Sequence, residues 1–90
     1  MKPYLVSFDL MKEGQQYAAL NERLRALGAV KLLYSQWVVL SGQTALDLTK
    51  DLLRFVDGND RLLVNVLVPS QTAFYGLLVP NEQFQHILAA

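Results

Sequence analysis

The sequence predicts an α+β domain built on an antiparallel sheet, and three observations carry that prediction. Short runs rich in β-branched and aromatic residues recur along the chain. Two other segments space their apolar residues at three- and four-residue intervals. Glycines or Asp/Asn clusters stand at the boundaries between them. With 90 residues, the chain has room for one core only, so residues 1–90 are expected to form a single domain.

Tyr4 to Asp9 (YLVSFD) is short, aromatic and β-branched and runs into the polar stretch Met11 to Gln16, which reads as strand followed by loop. From Gly14 to Leu27 the apolar positions Tyr17, Leu20, Leu24 and Leu27 keep the helical period. Gly28 stands where a left-handed cap is wanted, because glycine takes positive φ without a Cβ penalty. Ala29 to Tyr34 and Gln36 to Ser41 are strand-like runs separated by little more than Ser35. Thr44 followed by Asp47 is a looser capping box, and Leu48, Leu52, Phe55 and Val56 then form the apolar stripe of a second helix. Asp57 to Asp60 is a turn, and Arg61 to Val68 is the fourth strand.

The order strand, helix, strand, strand, helix, strand is that of a ferredoxin-like βαββαβ domain. Its antiparallel four-stranded sheet carries two helices on one face, with strands one and three in the middle and strands two and four at the edges. This core spans residues 4–68. In the extension, residues 69–90, Thr72 to Val79 (TAFYGLLV) is a candidate fifth strand, and Asn81 to Leu88 a short terminal helix.

Composition narrows the function. Eight basic and eight acidic side chains cancel, which removes the electrostatic footprint of a strong nucleic-acid binder. The absence of cysteine excludes a disulfide, a thiolate metal site and a thiol nucleophile, and points to an intracellular, cytoplasmic protein. Leu62 to Val68, interrupted by Asn65 and stopped by Pro69, is far short of a membrane span. The amino-terminal segment lacks the length and cleavage pattern of a signal peptide, so it is expected to belong to the fold. The glycines are dispersed, which excludes a phosphate-cradling glycine loop. His86 is the only histidine, so neither a zinc site nor a catalytic triad can be assembled around it.

On strand one, Tyr4, Val6 and Phe8 share one face and Leu5, Ser7 and Asp9 the other. On strand four, Leu62, Val64, Val66 and Val68 oppose Leu63, Asn65 and Leu67. The mixed sets suit the face away from the helices. If that face is bare, a second copy related by two-fold symmetry would cover it, and a homodimer is expected. Thr72 to Val79 is also a candidate to pair with an edge strand of the partner.

Several side chains have a bland and a sharp reading. Asp9 is either a solvated strand-end residue or a metal ligand. Ser7 and Ser35 are structural or phosphate-touching. Tyr34 and Trp37 belong to core or interface, or else stack on bases. Arg23, Arg25 and Lys31, around the end of helix one, are solvated charges or a small nucleic-acid patch.

The opening YLVSFDL (Tyr4 to Leu10), the group Tyr34, Ser35 and Trp37 in the middle ribbon, and DGNDRLLV (Asp57 to Val64) together resemble the second CRISPR-associated adaptation protein family. These are small dimeric companions of the CRISPR integrase in antiviral defense, with virulence-associated protein D ribonucleases as relatives. The similarity covers roughly residues 4–68, and its motifs are short. The resemblance implies a homodimer whose two strand-one aspartates, here Asp9, face each other and hold a magnesium ion in a phosphodiester-cleaving site. It equally implies a scaffold that grips nucleic acid beside the integrase. Met11 to Gln16 contributes only Lys12, offset by Glu13, where relatives carry several arginines. Any grip then falls to Arg23, Arg25 and Lys31, and binding is expected to be weak and salt-sensitive. The alternative is a non-catalytic dimeric interaction module on the same fold.

Overall fold

The computed structural model describes residues 1–11 and 17–90. In chain order its elements are β1 (Lys2–Asp9), α1 (Ala18–Ala26), β2 (Val30–Leu33), β3 (Gln36–Ser41), α2 (Ala45–Leu53), β4 (Arg61–Val66) and α3 (Asn81–Ala89), with a 3-10 turn at Pro69–Gln71. The sheet is antiparallel with strand order β2-β3-β1-β4. This is the α+β, ferredoxin-like arrangement expected. β1 starts two residues earlier than its apolar run indicates, and β4 ends at Val66. The part of the expected first helix at residues 14–16 lies outside the described residues.

Local chemistry sets the boundaries. α1 closes in a Schellman motif: Gly28 at φ 81° donates its N–H to Arg25 O, and Ala29 donates to Leu24 O. Those two bonds satisfy carbonyls that the helix end would leave open. At the start of α2, Thr44 has extended backbone and its Oγ1 accepts the Asp47 N–H at 3.1 Å. That is the cap expected from the sequence. The β2–β3 loop of Tyr34 and Ser35 contains no positive φ, so it is not one of the primed turns that match strand twist. The ladder beside it carries a register shift between Lys31 and Leu33.

Alternation along β1 divides the molecule into two cores. Tyr4, Val6 and Phe8, with Trp37 and Val39 of β3, pack against Leu20 and Leu24 of α1 and Leu48 and Leu52 of α2. The four leucines are wholly buried, each stabilising the fold by about 1.5–3 kcal/mol relative to exposure. On the opposite face Leu32 and Val38 pack against Phe84 and Leu88 of α3, with Leu5, Leu67, Phe74, Leu77 and Val79 around them.

That second cluster corrects two expectations. The fifth strand over 72–79 does not form. Pro69 and Pro80 bracket the segment and Gly76 turns it at φ 70°, so Phe74, Leu77 and Val79 reach the sheet as a strap. Its backbone bond to the sheet is Leu78 N–H to Leu32 O, at 2.9 Å. Nor is the face away from α1 and α2 bare. The strap and α3 cover part of it, around Leu32 and Val38, and a strip from Leu33 and Gln36 across the end of β1 to the outer face of β4, where Leu63 and Asn65 are exposed, stays open.

Phe84 anchors this cover, with its ring edge-on to Phe74 at 4.9 Å between centroids. Phe84→Ala is expected to lower stability by about 3–5 kcal/mol in urea unfolding followed by circular dichroism, and to raise binding of a fluorescent apolar dye to the uncovered face.

Candidate functional site

The open strip is built by strand register. Directly paired residues share a sheet face, so Gln36, Ser7 and Leu63 form one row across β3, β1 and β4, and Asp9 and Arg61 form the next. The Phe8 N–H donates to Ser35 O at 3.1 Å and draws the β2–β3 loop against the end of β1. Between these elements lies an open groove of about 420 Å³. Its polar lining is Ser7, Asp9, Ser35, Gln36 and Arg61. Leu33 and Leu63 border it, the latter 63% exposed.

Within the groove Gln36 Nε2 donates to Ser7 Oγ at 3.0 Å. Arg61 Nη1 stands 3.9 Å from Asp9 Oδ2, with both side chains mostly exposed. Asp60 fixes this end of the sheet: its Oδ1 accepts from the Met11 N–H at 2.8 Å and the Tyr17 hydroxyl at 3.0 Å, and its Oδ2 from the Asp57 N–H at 2.8 Å. The Asp57–Asp60 stretch is therefore a turn that clasps the chain following β1, consistent with its reading from sequence.

Arg23, Arg25 and Lys31 do not join Asp9. Two residues apart on a helix is a rotation of about 200°, so Arg23 and Arg25 leave α1 on opposite sides. Arg23 reaches α2, where Nε and Nη2 grip both Asp51 oxygens at 2.9 and 2.6 Å. Arg25 lies 5.7 Å from the Trp37 ring centroid. Lys31 is paired in register with Trp37, on the helix side of the sheet, and its Nζ is 5.6 Å from the Tyr34 ring. Trp37 is only 2% exposed, which leaves no ring face for a base. Its Nε1 is buried with no hydrogen-bond partner among the described residues. Tyr34 is 82% exposed.

A divalent ion finds one carboxylate per chain in the groove, and no three His, Cys, Asp or Glu side chains converge among the described residues. One subunit therefore offers no metal cage. The donor set fits only the magnesium mode in which one or two carboxylates are completed by phosphate and water. The polar groove residues that sequence reasoning missed are Arg61 and Gln36. No local signal marked Arg61: β1 and β4 are distant in sequence, and only their register sets it opposite Asp9.

No family model matches the chain, and no solved structure matches it at a significant level. Among the described residues no helix is long and apolar enough to cross a membrane.

Asp51 is held by Arg23 and by Arg54, whose Nη2 donates at 2.7 Å. Hydrogen bonding from Arg23 is the main cause that lowers its pKa from 3.8 to about 2, against the opposing effect of burial. A depressed carboxylate stabilises the fold fully above its unfolded value and loses that contribution as pH falls through the folded one. Asp51→Asn is expected to cost about 1–3 kcal/mol at neutral pH. It should also flatten the fall in stability between pH 4 and 2, as read by thermal unfolding across that range.

Proposed function

We propose that the protein is a homodimer acting on or beside nucleic acid, in the manner of the second CRISPR adaptation protein family it resembles, with Asp9 as the residue for a divalent metal. The observation that carries this reading is the position of Asp9: an exposed carboxylate ending a central strand, on the part of the second sheet face that α3 and the strap leave open. Exposed Leu33 and Leu63 beside it supply apolar surface that a second copy would cover. In that arrangement the two subunits' Asp9 carboxylates would hold magnesium between them. The ion would lower the pKa of its water and offset charge on the phosphoryl oxygens.

The chain's own residues would hold the substrate. Ser7 and Ser35 line the groove as hydroxyl donors, and Gln36 fixes Ser7 through its amide. With Arg23 tied to Asp51, few cations remain for phosphate, so binding is weak and falls with salt. A cytoplasmic location and a CRISPR integrase as partner belong to the same reading.

A second reading, a non-catalytic dimeric interaction module, is favoured by the Arg61 guanidinium beside Asp9, since a cation there opposes metal binding.

The two readings separate on one substitution. Asp9→Ala is expected to abolish magnesium-dependent cleavage of an RNA and DNA panel while light scattering still reports a dimer. Absence of cleavage in the wild type at any magnesium concentration, together with no retention of nucleic acid at low salt, leaves the interaction module. A monomer at micromolar concentration overturns both.

A further inference from the structure

We propose that Arg61 is the phosphate-recognising residue of the groove, held by Asp9 until a ligand takes it over. The inference rests on the reading above only in placing the ligand beside Asp9. Asp9 and Arg61 are partners in the β1–β4 register, yet their closest charged atoms are 3.9 Å apart and their side chains are 69% and 74% exposed. Such a pair is worth about 0.2–1 kcal/mol, too little to hold the fold.

The other cations placed by the structure contrast with it. Arg23 and Arg54 grip Asp51 at 2.6 and 2.7 Å, Arg25 and Lys31 lie against the Trp37 and Tyr34 rings, and neither these nor Lys2 and Lys50 line the groove. Arg61 alone among the described cations lines the groove and is loosely held. Its planar fork matches two phosphate oxygens, which an ammonium group cannot do. Ser7 accepts from Gln36 and retains its hydroxyl hydrogen for a third contact, and a groove of about 420 Å³ is in the range of small-ligand sites. The ligand class is a phosphate group, either a phosphodiester or a terminal phosphate.

Because the Asp9 carboxylate competes with phosphate for the same guanidinium, neutralising Asp9 must strengthen phosphate binding. That reverses the effect Asp9 substitution has on cleavage. The probes are inorganic phosphate and a thymidine dinucleotide whose single phosphate is a diester, titrated separately into the full chain and followed by ¹⁵N NMR without metal. Arg61 Nε–H and the Ser7 and Gln36 signals are expected to shift. Asp9→Asn is expected to tighten binding about two- to fivefold, the equivalent of the exposed pair. Arg61→Gln should weaken it at least about tenfold, with partial recovery in Arg61→Lys. Response to the dinucleotide identifies the diester as ligand, and response to inorganic phosphate alone identifies a terminal phosphate. Equal affinity in wild type and Arg61→Gln, or weaker binding in Asp9→Asn, overturns the proposal. Phosphate binding through Arg61 without any cleavage removes the nuclease reading and keeps this one, whereas cleavage with Arg61-independent binding does the opposite.

Discussion

The structure depends on the two-residue alternation of β1. As a central strand, hydrogen-bonded to β3 on one side and β4 on the other, it cannot slip by one residue without exchanging its faces. Tyr4, Val6 and Phe8 would then leave the leucines of α1 and α2, and Leu5 would leave the cluster under α3. Both cores are therefore tied to one register. The same register places Asp9 opposite Arg61 and Ser7 between Gln36 and Leu63, so the groove is a by-product of the packing that stabilises the domain.

Charge is divided between structure and surface. Asp51 takes hydrogen bonds from two arginines and joins α1 to α2, while Asp60 gathers the Met11 N–H, the Tyr17 hydroxyl and the Asp57 N–H at the end of the sheet. These are short contacts to carboxylates that each take several hydrogen bonds, and an acceptor withdrawn from water, as Asp51 is, needs such partners. Asp9 and Arg61 have no such enclosure. Water and salt screen them, and their position is compatible with exchange between partners.

Covering one sheet face with the chain's own carboxy-terminal segment changes what a second subunit would have to do. The strap and α3 bury Leu32 and Val38, so a partner need not supply that apolar surface. What remains is a narrower strip that mixes Leu33 and Leu63 with polar groups. Interfaces of that composition gain specificity from their polar groups and less affinity from area alone.

Most of the fold was legible because its signals are local. Apolar spacing marked both helices, Gly28 and Thr44 marked their ends, and β-branched runs marked the strands; each reflects backbone chemistry within a few residues. The terminal helix expected at Asn81 to Leu88 forms as α3, but the stretch before it, residues 72–79, was not legible in this way. TAFYGLLV is as strand-prone as β4, and only its flanking prolines, the turn at Gly76 and the hydrophobic face within reach made it a strap. Asp9 was identifiable as a strand-end carboxylate, but Arg61 beside it required the register of two strands distant in sequence. The separation of Arg23 from Arg25 required knowing which side of α1 faced α2. Sequence by itself determined the elements of the βαββαβ core and the terminal helix, because those follow from local conformational preference and periodicity. Tertiary structure alone decided which charges meet and which part of the sheet stays open, because both depend on long-range pairing that no single segment encodes.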